Sequence, residues 1–276
     1  MTFNSLVKAT ALVLALATPQ ALLAGGAAAP LPTQDWEHKG MFGEFDNNQM
    51  KRGAQVTVEV CMGCHSVKYI KFDFLRQFGF TEQEVKDMAE SQGQTKKSRM
   101  ISSMSEEDAK DSFGVIPPDL SLMTKARKGY EDYTYAMLTG YLNEDESELI
   151  NNAMEDDALS DSEIQSIAAK LHLNPDDPEK VKEVVTRIQN GENFNKYYPG
   201  NFFAMPQPLM ADQVEYADGT KTDLHQLAKD TTAFLAWAAE PTLMERKSTG
   251  KGVLLYLILL TALLYAIKRR MWSKLH

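Results

Sequence analysis

The sequence contains very little cysteine. Among its 276 residues only Cys61 and Cys64 are cysteines, so the chain is not a disulfide-rich scaffold. A structural zinc site normally takes four cysteine or histidine ligands. The remaining histidines show no paired spacing; they are His38, His172, His225 and His276. The composition therefore disfavours a zinc site.

Basic residues are also scarce in most of the chain. Six of the 29 basic residues lie in segments 1–8 and 251–276, which contain no acid. Residues 9–250 therefore carry 23 basic against 38 acidic side chains, a net charge of −15. A domain this acidic repels nucleic acids and attracts basic proteins. We exclude DNA and RNA as partners.

The N-terminus has the pattern of a secretory signal peptide. Lys8 precedes an apolar run over residues 9–18, and small residues fill positions 24–29. We predict a signal peptide over residues 1–26, with cleavage somewhere within 24–29. An uncleaved membrane anchor is the alternative, but the run is short for a span. A short single-stage signal is typical of bacteria, since mitochondrial presequences are usually longer and bipartite.

The C-terminus predicts a membrane anchor. No charged residue occurs from Gly252 to Ile267, and Lys268, Arg269 and Arg270 follow at once. A buried helix of a soluble protein is the alternative, but the basic stop favours a transmembrane helix and a basic cytoplasmic tail over residues 251–276. Together with the signal peptide, this predicts an exported domain over residues 27–250. We expect it on the periplasmic side of a bacterial cytoplasmic membrane.

Both cysteines lie in the stretch EVCMGCHSVKYI, residues 59–70, with His65 directly behind the second. A disulfide or thioredoxin-like pair, a metal site and a covalent haem all use a C-x-x-C motif. A thioredoxin-like pair opens a helix. Here Asp46 is a candidate N-cap for a preceding helix, with Met50 and Ala54 at helical spacing, so the pair closes a helix.

A covalent haem accounts for all three residues of the motif. Two thiols at this spacing can add to the two vinyl groups of one porphyrin, and His65 can then offer a nitrogen to the iron. The motif occurs once, which predicts one haem c. The other face of the iron needs a second ligand if the protein transfers electrons.

A methionine-containing loop is the candidate for that second ligand. In YYPGNFFAMPQPLMADQ, residues 197–213, Met205 is followed by Pro206 and Pro208, which stiffen the backbone. Met210 lies nearby and remains an alternative on residue chemistry alone.

Taken together, these segments resemble the cytochrome c1 family, the haem subunits of the ubiquinol–cytochrome c reductase (cytochrome bc1) complex. The resemblance rests on five features in this order: FDNNQMKRGAQVTVEVCMGCH, PPDLSLMTKARKGYEDYTYAMLTGY, FFAMPQPL, YADGTKTDLHQLAKDTTAFLAWAAEP and the basic-tailed anchor. It implies a mostly α fold. The expected architecture is a cytochrome c-type haem domain with a helical insertion, plus one C-terminal transmembrane helix.

The resemblance also implies roles for single residues. His65 and Met205 correspond to the axial iron ligands, which favours Met205 over Met210. Pro117 and Pro118 correspond to a wall of the haem site, where a proline carbonyl holds the histidine Nδ1–H. Arg127 corresponds to an arginine that meets a haem propionate, with Tyr133 nearby. From the residue alone, Arg127 also fits a solvated helix surface.

The implied function is one-electron transfer within a membrane complex. The resemblance implies cytochrome b and the Rieske iron–sulfur protein as partners in a complex that is dimeric, with the electron passing from the Rieske protein to a soluble or membrane-tethered cytochrome c. No bond is made or broken on such a subunit by itself. One alternative is a haem enzyme, which needs an open iron face. The other is a free-standing anchored cytochrome, which tends to have a flexible linker, whereas residues 223–250 here predict a helix running almost to the membrane.

The chain departs from the family pattern in two ways. It lacks the second cysteine pair that restrains the loop before the methionine ligand in some bacterial members, so packing alone must hold that loop. It also has a long segment, near 143–195, whose start from Glu144 to Glu163 contains nine acids and no base. Ser160 with Glu163, and Asp177 with Pro178, predict two helix starts there. A solubilising surface and a docking role for this acidic insertion both remain open.

Overall fold

The fold is mostly helical, as predicted, in the computed structural model, which describes residues 29–153 and 159–273. Two short strands, β1 (Val67–Lys71) and β2 (Arg99–Met100), pair antiparallel, with Val67 opposite Met100. Tight 3₁₀ turns cover Cys61–Gly63 and Phe72–Phe78. The α-helices are α1 (Asn47–Glu59), α2 (Glu82–Ser91), α3 (Glu106–Phe113), α4 (Met123–Ala126), α5 (Tyr130–Thr139), α6 (Glu144–Asn152), α7 (Asp161–Leu171), α8 (Pro178–Gln189), α9 (Leu224–Ala239) and α10 (Leu243–Trp272).

The helices begin at the capping residues that the sequence offers. The Asp46 carboxylate accepts the Gln49 N–H at 2.7 Å at the start of α1, which confirms the predicted N-cap. Ser160 and Glu163 form the predicted reciprocal capping box at α7. Asp177 caps α8, which begins with a proline as expected. The local chemistry of these starts is enough to define them.

The main core forms where α1 crosses α9 in direct backbone contact. Gly53 permits this approach, because a Cβ added there would lie 2.1 Å from the Asp230 carbonyl oxygen. Beside it the Arg52 Nε donates to the Asp230 carboxylate at 2.8 Å, and Asp230 is completely buried. The close approach and the buried ion pair thus hold together residues 177 and 178 positions apart, respectively.

The segment near 143–195, which the sequence analysis interprets as an insertion, has a small apolar core of its own. Helices α6, α7 and α8 pack together, with the apolar face of α8 turned inward. The buried members of this cluster are Ile150, Ala153, Ile164, Ile167, Ala168, Leu171, Val181, Val184, Val185 and Phe194. This segment is therefore a packed helical unit over its described residues.

The C-terminal part differs from the single helix expected over residues 223–250. Helix α9 ends at Ala239 and α10 begins only at Leu243. Pro241 lies in the gap, and the residue before a proline is driven out of the helical region. Glu240 accordingly has φ −152° and ψ 73°. The expectation of one continuous helix was wrong.

Helix α10 has the length and composition of a membrane span. Its 30 residues include an 18-residue window with a mean hydropathy of 2.0, and none of that window is buried against the rest of the chain. At 1.5 Å per residue such a helix is about 45 Å long, more than the roughly 30 Å hydrocarbon layer. The signal peptide predicted for residues 1–26 lies outside the described residues.

The segment before α1 is tied to the first turn of α5. Trp36 Nε1 donates to the Asp132 carboxylate at 2.7 Å, and His38 and Lys39 each lie 3.1 Å from the Glu131 carboxylate. Burial opposes ionisation of Glu131, but its bonds to His38 and Lys39 hold its pKa at about 2. The carboxylate therefore stabilises the folded chain wherever it is ionised.

We expect Glu131→Gln to lower the thermal midpoint of the detergent-solubilised protein by about 5 °C near neutral pH, since a hydrogen bond to a charged group contributes about 2 kcal/mol. Because the folded pKa lies below the ordinary 4.5, this contribution is complete above pH 4.5. The contribution declines as the pH falls towards about 2, and the difference in thermal midpoint between the parent and the variant should become smaller over the same range. A gap that stays constant down to pH 2 would contradict this account; Glu148→Gln, on an exposed side chain, is the matched control.

Candidate functional site

The C-x-x-C-H segment folds into a tight turn at the end of α1. The Cys61 carbonyl accepts the N–H of Cys64 at 3.1 Å and the N–H of His65 at 2.8 Å. In a 3₁₀ turn the side chains of residues three apart lie on the same side. Both thiols therefore point to one side, and both border the same cavity.

The two cysteines are not joined in a disulfide, and Cys61 is buried. Burial raises the pKa of the Cys61 thiol to about 12. A thiol of this kind is protonated at neutral pH, whereas redox-active C-x-x-C pairs have lowered pKa values. The environment of Cys61 is unlike that of a thioredoxin-type centre.

The His65 ring is held by a backbone carbonyl. Its Nδ1 lies 2.7 Å from the Pro118 oxygen, and since a carbonyl can only accept, Nδ1 carries the hydrogen. Burial lowers the pKa of His65, although the Pro118 bond and Asp119 oppose this shift. In the neutral ring Nε2 is consequently a free electron-pair donor.

The segment after the double proline is fixed beside the motif by several further bonds. The Leu120 N–H donates to the Ser66 carbonyl at 2.8 Å. The Asp119 carboxylate accepts from the Lys68 and Ser121 N–H groups, each at 3.0 Å. These contacts set the position of the Pro118 carbonyl, and so the orientation of the His65 ring.

A cavity of about 510 Å³ opens next to this turn. Its volume falls in the range of small-molecule and cofactor sites, about 300–1,000 Å³. The end of α1, the segment 113–120, helices α4, α5 and α9, and the loop 198–208 all contribute to its walls, which are mainly apolar. Thr231 and Leu235 of α9 close one side. The α1–α9 crossing thus also sets one wall of the cavity.

The structure brings all the predicted site residues to this one cavity. Its lining includes Cys61, Cys64, His65, Pro117, Pro118, Arg127, Tyr133 and Met205. Met210 does not line it, and its side chain is 59% exposed. The geometry therefore separates two methionines that residue chemistry alone left as alternatives.

The loop that carries Met205 is held by Tyr141, which sequence reasoning missed. The buried Tyr141 hydroxyl lies 3.0 Å from the Met205 carbonyl oxygen and 3.2 Å from that of Pro206, and donates to them. Its ring packs on Phe203, which stacks in turn on Tyr198. Tyr141 belongs to the segment quoted for the resemblance, but a tyrosine after a helix carries no signal of a contact 64 positions away.

Arg127 lies at the mouth of the cavity, exposed and next to Tyr133. Within residues 29–153 and 159–273, no carboxylate comes within 4.0 Å of its guanidinium. Burial raises the pKa of Tyr133, and the neighbouring Arg127 partly offsets the shift. A guanidinium here can receive an anionic group of a bound molecule.

No other constellation in the described part of the chain resembles a metal site. Within residues 29–153 and 159–273, no three His, Cys, Asp or Glu side chains are placed together so that they could hold an ion. The cavity beside the C-x-x-C-H turn is the candidate site because it brings together both thiols, His65 and Met205.

Comparisons with known proteins agree with the motifs. The model of the Cytochrome C1 family matches residues 36–275. The chain is 34% identical to cytochrome c1 of Rhodospirillum rubrum, over 93% of this chain and 95% of that protein. It is 33% identical to the mitochondrial cytochrome c1 heme protein of Saccharomyces cerevisiae, over 93% and 76%, respectively. Its identity to the Candida albicans protein named cytochrome b-c1 complex catalytic subunit is 33%, over 88% and 77%.

Proposed function

Because the chain belongs to the cytochrome c1 family, a family of c-type haem proteins, we propose that it is an electron-transfer subunit of a cytochrome bc1 complex and that the cavity beside Cys61–His65 holds its haem c. The observation that carries the proposal is the convergence of two thiols, one imidazole and one thioether on a single apolar cavity. Each of these groups has a part in c-type haem binding. The residues present fit the group.

Cys61 and Cys64 would hold the haem through thioethers, and His65 and Met205 would be the axial iron ligands. The Pro118 carbonyl keeps the His65 Nε2 available for the metal, because it binds the hydrogen at Nδ1. When bound, the haem supplies an iron that accepts and releases one electron. With Met205 also bound to the iron, no position would remain open for a substrate, which disfavours the haem-enzyme alternative.

The polar residues of the cavity would orient the porphyrin. Arg127 would bind a propionate at the mouth, where no carboxylate of the described residues competes for it. Pro117 and Pro118 would form an apolar wall that excludes water from the iron, with Tyr133 beside the arginine. Water exclusion and a thioether ligand both favour the reduced iron and raise its potential.

The electron would come from the Rieske iron–sulfur protein and go to a soluble or membrane-tethered cytochrome c, with cytochrome b as the membrane partner in a dimeric complex. The haem domain would lie on the periplasmic side of a bacterial inner membrane, after removal of the signal peptide, with α10 as the single span. The 30-residue helix and its basic end support this placement. Residues 27–250 would form the exported domain, and the segment near 143–195 its insertion.

The surface charge supports a basic electron acceptor. Residues 9–250 have a net charge of −15, and α6 begins with several acids. Glu144, Asp145 and Glu148 are exposed. Glu146 differs, because it is buried, caps α6 through Asn143 and pairs with Lys196 at 2.5 Å. Only the exposed acids are available to attract a partner.

Affinity purification of the full chain from native membranes in mild detergent tests membership of the complex. We expect cytochrome b and the Rieske protein to co-purify with a haem-containing chain. A haem-containing chain that purifies alone, and that still reduces cytochrome c in membranes lacking cytochrome b, would instead identify a free-standing anchored cytochrome.

Substitution of the two candidate methionines tests the second axial ligand. Met205→Leu should abolish the weak near-infrared sulfur-to-iron band and lower the reduction potential, because leucine offers no electron pair to the iron. Met210→Leu is the matched control and should change neither, since Met210 is exposed and outside the cavity. The assignment fails if the Met205 variant keeps both properties and the Met210 variant loses them.

Tyr141→Phe tests the tether of the methionine loop. The variant keeps the ring but leaves the Met205 and Pro206 carbonyls without their donor, at a cost of about 1 kcal/mol. We expect the near-infrared band to disappear at a lower denaturant concentration than in the parent. Tyr198→Phe, which alters the other ring on Phe203, is the control; equal sensitivity of both variants would argue against the hydrogen bond as the cause.

Salt dependence tests electrostatic steering of the acceptor. Converting Glu144, Asp145 and Glu148 to their amides should slow reduction of a basic cytochrome c at low ionic strength. The effect should vanish when the Debye length falls well below about 10 Å. Glu146 is left unchanged because it is buried and paired with Lys196, so its substitution would disturb the fold. A parent rate independent of salt would reject steering, and a steep dependence unchanged in the triple variant would reject this segment.

A further inference from the structure

Another cavity, of about 490 Å³, lies where α10 begins, apart from the haem cavity. The segment from His38 to Met41 forms one side and residues of α10 as far as Leu254 form the other. The Lys247 ammonium joins the two sides, since it donates to the carbonyls of His38 at 2.6 Å and Gly43 at 2.7 Å. The cavity is thus part of a fixed junction between the domain and its span.

This cavity is basic, in contrast to the acidic domain that carries it. Lys39, Arg246, Lys247 and Lys251 line it together with two carboxylates, Glu131 and Glu240. These four cations and two carboxylates leave an excess of two positive charges. A concave site with such an excess is complementary to an anion.

Two of the four cations have donor groups that no carboxylate of the described residues occupies. Lys39 pairs with Glu131, and Lys247 is bound to the two carbonyls. Lys251 has no carboxylate within 4.0 Å among the described residues, and its nearest aromatic contact is the Phe42 ring at 5.2 Å. Arg246 binds Glu240 through Nε alone, so its terminal nitrogens have no protein acceptor in the described part of the chain. Lys251 and Arg246 can therefore both bind a further anion.

The height of these cations along α10 corresponds to a membrane surface. The uncharged run of the helix begins at Gly252, next to Lys251. At 1.5 Å per residue, Arg246 lies about 9 Å from Gly252 along the helix axis, on the side away from the uncharged run. The headgroup layer on each side of a bilayer is roughly 5–8 Å thick. Both cations consequently fall in or beside this layer if α10 spans the membrane as proposed above.

Two large apolar side chains are exposed beside the cations. Met41 is 55% exposed and Phe42 76% exposed, on the loop that Lys247 fixes against α10. An aromatic ring and a thioether at this height can contact the upper part of an acyl chain. A free phosphate ion would make no use of them.

We propose that this cavity binds the phosphodiester headgroup of an anionic phospholipid, with Lys251 and Arg246 on the phosphate and Met41 and Phe42 against the acyl chains. The excess positive charge matches the phosphate of such a lipid, and the adjoining apolar span matches its acyl chains. The proposal rests on the membrane placement of α10, and does not depend on which protein donates or accepts the electron.

Photo-crosslinking of the full haem-containing chain tests the site directly. Phe42 is replaced by p-benzoylphenylalanine, and the protein is reconstituted in phosphatidylcholine vesicles with increasing phosphatidylglycerol. We expect a phosphatidylglycerol adduct at position 42 that saturates at a minor fraction of this lipid. Position 69 is the matched control, since Tyr69 is 53% exposed and also has a lysine over its ring, but lies outside the cavity. Equal adduct yields from the two lipids at position 42 would overturn the proposal.

Charge variants in the same vesicles identify the groups that bind the phosphate. Lys251→Gln and Arg246→Gln should each raise the phosphatidylglycerol needed for half-maximal adduct about fivefold, the value of one cation near an anionic lipid surface. Lys97→Gln, on an exposed lysine outside the cavity, should leave it unchanged. An unchanged midpoint in both cavity variants overturns the proposal.

Two further experiments distinguish a phospholipid from other possible occupants of the cavity. Inorganic phosphate at the concentration of the lipid should not reduce the adduct; if it does, the site binds free anions. In native membranes the adduct should be a phospholipid, and an adduct to another polypeptide alone would make this surface a subunit contact. The haem spectrum and co-purification with cytochrome b test the proposed function independently of the lipid site. Failure of the proposed function can therefore be distinguished from failure of the lipid proposal.

Discussion

The crossing of α1 and α9 is the constraint on which the rest of the site depends. At Gly53 the two backbones touch so closely that even a methyl group would overlap the Asp230 carbonyl. The neighbouring Arg52–Asp230 pair is buried, and breaking such a pair by removing one partner is strongly destabilising. Because the C-x-x-C-H turn directly follows α1, this crossing fixes both thiols and His65 relative to the cavity wall on α9.

The opposite wall is supplied by segments from distant parts of the chain, each held by its own hydrogen bonds. The Pro118 carbonyl is positioned through Asp119 and Leu120, which pair with residues just after the motif. The Met205 loop is positioned by the Tyr141 hydroxyl. Both cysteines lie in the motif and neither forms a disulfide, so these contacts take the place of a covalent clip. A cavity assembled in this way depends on many long-range contacts, and only the α1 end of it is local in sequence.

The sequence predicted what local chemistry determines. Asp46, Ser160 and Asp177 begin helices because a side chain and a nearby N–H are enough to define an N-cap. The mostly α fold was implied by the resemblance to the family. The one continuous helix predicted after residue 223 is interrupted at Pro241, because the residue before a proline is driven out of the helical region. Other features were not predictable. Nothing in the residues around Glu146 distinguishes this buried, paired carboxylate from its exposed neighbours. The need for glycine at position 53 is evident only from the close approach of Asp230, which is distant in sequence.

The central claim is that the haem of this c-type cytochrome is attached at the end of α1, and peptide mass spectrometry tests it most directly. The membrane protein would be extracted with acid–acetone, which removes non-covalent haem, and then digested. The account predicts that the peptide containing Cys61, Cys64 and His65 carries the mass of one haem and that no free thiol remains on it. Recovery of the haem in the acetone, with an unmodified peptide that still contains both thiols, would contradict it.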